Sequence, residues 1–246
     1  MAQVKMNPLT FEEVVRYFKA VDELNNEMYD SYINLLYCTG MRLSEVHSLF
    51  TRDISFRARE IHVYNTKRDK SRDVFFDDDT ATKLNYYIKY NQKEINKREK
   101  AFDRALVKKK KELDAKTVDE LLDILGKDHD YGVKKAELIR LLLRAHARKL
   151  TSPLWGVSYR ELHHIVSMIG KRAGIQKSVH PHSWRYFFAQ TLHDGGSNNG
   201  RPADLLELSS LLGHSSVLVT RGYLQPNKQL ARASFDSVFN KKHTQG

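Results

Sequence analysis

Apolar positions recur at helical spacing through most of the chain, broken once by two short alternating runs. Thr10-Phe-Glu-Glu13, with Pro8 just ahead, is a capping-box pattern and predicts a helix to about Ala20. Asp30 to Cys38, built on the apolar run Tyr32-Ile-Asn-Leu-Leu-Tyr-Cys38, predicts a largely buried second helix ended by Thr39-Gly40. Leu43, Val46, Leu49 and Phe50 keep the helical period, so Arg42 and Glu45 fall near the start of a third helix. Those two residues stand one turn apart and share a face. Arg52-Asp-Ile-Ser-Phe reads as an exit loop. Glu60–Tyr64 and Asp73–Phe76 are short β-branched and aromatic runs, and the charged stretch Asn65–Arg72 joins them as a hairpin. Another helix is expected from Asp79 to Tyr90.

From about residue 92 to 150 the composition shifts. Glu94–Lys116 is helix-forming and heavily charged, with Lys108–Lys111 as its basic extreme. Thr117–Gly126 reads as a capped amphipathic turn of helix, and Tyr131–Leu143 as a second short helix. Ser152-Pro-Leu-Trp-Gly156 closes the segment. Beyond it, helices are predicted over Tyr159–Ala173, Trp184–His193 and Leu205–Leu212, the first ended by Gly174 and the last by Gly213. Asp194–Pro202 is a loop almost free of core-forming residues. Ser215-Ser216 would cap a further helix, and Gln229–Phe239 is a final amphipathic piece. Together these predict an α+β chain, mainly helical, with a small antiparallel β-sheet and a helical insertion. The discontinuous main domain spans 1–91 and 152–246, and the insertion spans 92–151.

Charge adds a partner to this picture. The chain has 246 residues and a formal net charge of +11, with a pI near 9.5. An excess of that size points to a polyanion, nucleic acid first. A single cysteine, Cys38, excludes an internal disulfide framework and reads as a buried small hydrophobe. The N-terminal Met-Ala-Gln-Val-Lys-Met-Asn-Pro lacks the apolar core of a signal peptide, and no run is long and apolar enough to span a membrane. The expected place is inside the cell with the host DNA. His163-His164 and the His180/His182 pair lack paired cysteines and metalloprotease spacing, so no metal is assigned. There is no Gly-rich phosphate loop, and no cofactor is expected.

The candidate chemistry is concentrated in three boxes. Thr39-Gly-Met-Arg-Leu-Ser-Glu45 supplies Arg42. His182-Ser-Trp-Arg185 supplies an imidazole and a second guanidinium. Leu211-Leu-Gly-His214 supplies a second imidazole, and Tyr223 follows it by nine residues. A phosphodiester under attack gains charge on its non-bridging oxygens, and two guanidiniums suit that charge because each is a planar fork that stays protonated. A leaving 5′-oxygen needs a proton, which a positioned lysine can give. A tyrosine can attack once a base takes its phenolic proton.

In this order the set resembles the tyrosine recombinases, the phage-integrase family. The first box is similar to the family's first arginine box almost residue for residue. The second carries Trp184 where leucine is common and Tyr186 where histidine is common, and Leu-Leu-Gly-His-Ser-Ser with Thr220 and Tyr223 is similar to the third. The resemblance covers about residues 8–91 and 152–240. It implies a tyrosine-recombinase-like catalytic domain that cuts and rejoins DNA through a covalent 3′-phosphotyrosyl intermediate. It implies catalytic roles for Arg42, Lys67, His182, Arg185, His214 and Tyr223, with Glu45 holding Arg42. Lys67 lies five residues before Arg72, as in the family's lysine-to-arginine hairpin, but Thr66 and Arg68 flank it where glycine is usual; Lys70 is the competitor.

Double-stranded DNA is the implied partner, with Arg68, Lys70 and Arg72 as hairpin contacts. A homo-oligomer on DNA would form through the C-terminal segment that includes Leu230, Phe235 and Phe239. Type IB topoisomerases share this chemistry, and a non-cleaving DNA-binding protein would share the fold. Two departures stand out. The catalytic-type sequence starts within about ten residues of the N-terminus, where members carry a DNA-clamping helical domain, so the chain is expected to be a fragment or to dispense with the clamp. The insertion is the other. Its residues 117–143 resemble the SAP motif, a two-helix DNA-binding module, with anchors Leu121, Gly132, Lys135, Leu138 and Leu142. The resemblance implies phosphate contacts near Gly132, Lys134 and Lys135; a plain helical hairpin with a solvated basic face is the alternative.

Overall fold

The computed structural model describes residues 8–64, 71–126, 134–195, 201–214, 216–222 and 224. Its elements run α1 (Phe11–Leu24), α2 (Glu27–Thr39), α3 (Leu43–His47), a single 3-10 turn (Thr51–Asp53), β1 (Ile54–Ser55), β2 (Glu60–Val63), β3 (Arg72–Phe75), α4 (Asp78–Asp114), α5 (Val118–Leu125), α6 (Lys135–Ala147), α7 (Tyr159–Arg172), α8 (Pro181–His193), α9 (Leu205–Leu212) and α10 (Val217–Arg221). Local chemistry sets most ends. Thr10 and Glu13 bond reciprocally at the start of α1, and Thr117 and Glu120 do so at the start of α5. Asp204 caps α9, and Gly213 ends it at φ 61°.

Helix α2 is the central rod, with Tyr32, Ile33, Leu35 and Leu36 all buried. Buried phenols tie the layers together through their polar tips. Tyr17 donates to the Val166 carbonyl at 2.9 Å and Tyr32 to that of Leu162 at 3.1 Å, which fastens α1 and α2 to α7. The Trp155 indole donates to the Val46 carbonyl at 3.0 Å, which ties the stretch before α7 to α3. Trp184 on α8 sits among Tyr17, Phe18, Tyr37 and Phe187. Gly40, in the left-handed region at φ 57°, lets α8 come close: a Cβ there would lie 2.4 Å from the Phe188 ring.

The sheet is antiparallel in the order β1-β2-β3. Ile61 pairs with Val74 and Val63 with Arg72. Strand β1 lies in the stretch expected to be an exit loop; only Ile54 and Ser55 are extended, too few for a strand pattern in sequence. Helix α3 is shorter than its apolar period implied, because Leu49 and Phe50 are buried beyond its end rather than within it.

The largest difference from expectation is α4. It continues unbroken for 37 residues through the position where composition shifts. Its first half places Leu84, Tyr87, Ile88 and Ile95 in the main core. At its far end Leu113 joins Leu121, Leu122, Leu138, Ile139 and Leu142 in a second, small core. Helices α5 and α6 therefore form a separate packed unit on the end of a long helix. Cys38 is half-buried rather than enclosed, and burial pushes its thiol up to about 12. Among the described residues, no helix is long and apolar enough to cross a membrane.

Candidate active site

The three boxes meet where α2, α8 and α9 end or begin. Arg42 precedes α3, and the Glu45 carboxylate accepts from its backbone N–H at 2.8 Å and from its guanidinium at 3.0 Å. The other guanidinium arm of Arg42 donates to the Gly213 carbonyl at 3.1 Å. Arg185 is 1% exposed. One of its arms donates to the Gly40 carbonyl at 2.6 Å, and the other donates to the Leu212 carbonyl and lies 3.0 Å from His214 Nε2. Both carbonyls lie at helix C-termini, where a cation is favoured. Residues of three distant segments are thereby fixed around one point.

The tautomer of His214 follows from its partners. A guanidinium only donates, so Nε2 accepts from Arg185 and the ring proton sits on Nδ1. That proton is donated to Thr220 Oγ1 at 2.9 Å, which anchors α10 against the site. Burial, reinforced by the charges of Arg185, Arg42 and Arg72, lowers the His214 pKa to about 4, so the ring is neutral at physiological pH. His182 stands on the first turn of α8, one turn before Arg185. The surrounding protein and then the charges of Arg185, His180 and Arg42 hold its pKa below the ordinary value, so it too favours the neutral, proton-accepting form.

Glu45 does more than the sequence showed. Its carboxylate also accepts both arms of Arg72, at 3.0 and 2.8 Å, and Arg72 Nε donates to the Leu211 carbonyl at 2.6 Å. The side chains of Arg72 and Glu45 are 7% and 11% exposed. Arg72, expected to be a DNA contact, is instead turned inward and spends every arm on protein acceptors. It fastens the base of the hairpin to α3 and α9. Gly213 makes room for it: at φ 61° its absent Cβ would come 2.7 Å from an Arg72 nitrogen. No sequence signal linked Arg72 to Glu45. Thr220 was legible only as part of the third box.

Lys67, Arg68 and Lys70 lie outside the described residues, as do Tyr223, Gly132 and the segment from 225 onward. Lys134 is the exposed N-cap of α6, and Lys135 donates to the Asp114 carbonyl at 2.8 Å, closing α6 against the end of α4.

The profile of the phage integrase family matches residues 7–150. Tyrosine recombinase XerD of Staphylococcus haemolyticus is 25% identical over 231 residues, which cover 93% of this chain and 61% of that protein. Tyrosine recombinase XerC of Lactobacillus leichmannii is 26% identical over 210 residues, covering 85% and 54%. The chain thus spans about three fifths of the length of the XerD relative or less. Among solved structures, XerA recombinase superposes with a TM-score of 0.59 at 20% identity, covering 97% of this chain and 67% of that one. The Tn1549 transposon integrase in complex with transposon right end DNA gives 0.55 at 14% identity, covering 97% and 68%. The mainly helical fold with its small antiparallel sheet is that of these recombinase structures.

Proposed function

Because the chain belongs to the phage integrase family, we propose that it is the catalytic part of a site-specific DNA recombinase or integrase. It cleaves and rejoins double-stranded DNA through a 3′-phosphotyrosyl intermediate. The observation that carries this reading is the meeting of Arg42, Arg185 and His214 at the ends of α2 and α9, with His182 one helical turn before Arg185. The relatives named as recombinases, and the neighbour bound to transposon DNA, support the same reading.

In the proposed reaction the Tyr223 oxygen attacks phosphorus while the phenolic proton passes to His182. The bond from phosphorus to the 5′-oxygen breaks, and Lys67 protonates that oxygen, leaving a 5′-hydroxyl. The 5′-hydroxyl of an exchanged strand reverses these steps and reseals the backbone, so no nucleotide is consumed. Arg42 and Arg185 neutralise the non-bridging oxygens. His214 reaches the phosphate only after giving up Arg185 as its donor. An arriving phosphate offsets the arginine charges that reinforce burial in keeping the ring neutral, so it favours uptake of a proton on Nε2 and a hydrogen bond from His214 to a non-bridging oxygen. Arg68, Lys70, Lys134 and Lys135 contact DNA outside the reacting phosphate. The segment Gln229–Phe239 joins protomers into a homo-oligomer on paired sites, inside the cell with the host DNA.

The test is capture of a covalent adduct on nicked suicide DNA. Tyr223→Phe removes only the attacking oxygen, so DNA binding should persist while adduct falls to background. A wild-type adduct yield in that variant overturns the assignment. Lys67→Ala should be slow on ordinary DNA and regain most of its rate on a substrate with a 5′-bridging sulfur, which leaves without a proton. Selective rescue of Lys70→Ala instead would move the acid to Lys70.

A further inference from the structure

The candidate site opens into a cleft of about 920 Å³ whose two walls come from different parts of the chain. Arg42, Gly213 and His214 belong to the catalytic wall. The same cleft is lined by Arg140 and Arg144 of α6 and by Arg148 at its C-cap, whose guanidinium also lies over the Tyr159 ring. These three stand at successive helical turns, a spacing that puts them on one face. The cleft lies near the top of the range of roughly 300–1,000 Å³ that takes a whole small ligand, more room than one phosphate needs.

The placement of α6 is fixed, not incidental. Thr51 donates to the Glu99 carboxylate from its backbone at 2.6 Å and from its hydroxyl at 2.8 Å. Arg52 pairs with Asp103 at 2.8 Å. His47 bonds the Leu150 carbonyl at 3.1 Å. These contacts clamp the tail of α3 between α4 and the end of the insertion, which holds α6 across the cleft. Among the described residues, no carboxylate lies within ion-pair distance of Arg144 or Arg148. Burial, with the like charges of Arg148 and Arg42, lowers the pKa of Arg144, and Glu45 offsets this only in part. Glu45 is already held by Arg42 and Arg72. Positive charge gathered on both walls of one cleft calls for an anion between them.

We propose that Arg140, Arg144 and Arg148 form a second phosphate-binding wall, gripping the DNA strand beside the phosphate that Arg42 and Arg185 hold. This rests on the reading of the chain as a DNA strand transferase. It makes the insertion a part of the catalytic cleft rather than an outlying module. The arginines address the backbone, so they add affinity and strand placement without sequence preference.

The experiment measures duplex affinity of the full chain against salt, together with adduct formation. Arg144→Ala combined with Arg148→Ala should weaken binding and flatten the slope of log affinity against log salt by about one unit per lost contact. Arg144→Lys combined with Arg148→Lys keeps the charge and should hold the slope near wild type. Arg148→Gln alone, at an exposed position, gives the same reading at half the size if the alanine pair melts early. Unchanged slope and affinity in both the alanine pair and Arg148→Gln overturn the proposal while leaving the recombinase reading intact. Tighter binding overturns it too, and would make α6 a cover over the cleft. A wild-type chain with no salt-dependent affinity for duplex DNA defeats this proposal together with the reading beneath it.

Discussion

Arg185→Ala is expected to lower strand cleavage at least about a hundredfold, the usual scale for losing a transition-state anion contact, and to destabilise the fold as well. The two effects share one cause. The guanidinium is buried and serves the carbonyls of Gly40 and Leu212 and the imidazole of His214 at once. Each buried acceptor left without its donor costs about 1–3 kcal/mol. Relief from burying a charge offsets part of that. A net loss of about 2–4 kcal/mol should show as an earlier urea midpoint. Arg185→Lys keeps the charge but replaces a rigid planar fork with a flexible ammonium, so it should recover little of either property. A midpoint equal to wild type would show that these bonds do not hold the helix ends together. Cleavage within tenfold of wild type would remove Arg185 from the reaction.

Glu45→Ala should be comparably damaging, although Glu45 never meets the phosphate in the proposed mechanism. It leaves Arg42 and Arg72 facing each other without the carboxylate that separates them. Breaking a buried ion pair from one side costs about 3–5 kcal/mol, and a displaced Arg42 should slow cleavage about a hundredfold. The acid limb of stability is a second readout. Burial alone would raise the Glu45 pKa, but the bonds and charges of Arg72, then Arg42, outweigh it and lower it to about 2. The unfolded value is near 4.3. A depressed carboxyl pKa stabilises the fold above the unfolded value and loses that contribution as pH falls through the folded one. Wild type and Glu45→Ala should therefore differ most above about pH 5 and converge between about pH 4 and 2, over roughly 3 kcal/mol. Urea midpoints across that range decide it. A constant gap would mean that the carboxylate charge is not what stabilises the site.

Much of this arrangement is legible in the sequence because its signals are local. The caps at Thr10 and Thr117 and the stops at Gly40 and Gly213 mark where helices begin and end, and the two helix ends stopped by glycine bring the carbonyls of Gly40 and Leu212 to Arg185. Long-range pairing was not legible. Arg72 sits in a run of charges that reads as a solvated turn, and nothing in it indicates that a carboxylate 27 residues earlier will hold both its arms. The composition shift near residue 92 is real, yet Lys, Glu and Arg are good helix formers, so it marks a change of surroundings along α4 rather than its end. The arginine row of α6 was present as a spacing of four, but only packing decides which solvent-facing stripe looks into a cleft.

Helix α4 also sets a scale. At 1.5 Å per residue its 37 residues make a rod of about 55 Å. One end is sunk in the main core and the other carries the small core of α5 and α6. The two cores therefore stand in a fixed screw relation. One residue more or fewer in the rod would turn the far unit by about 100° and advance it by about 1.5 Å, swinging the arginines of α6 away from Arg42. The length of this helix works as a ruler: the count of residues between the two cores, together with the contacts that clamp α4 and Leu150 to the end of α3, aligns the two walls that meet over the cleft.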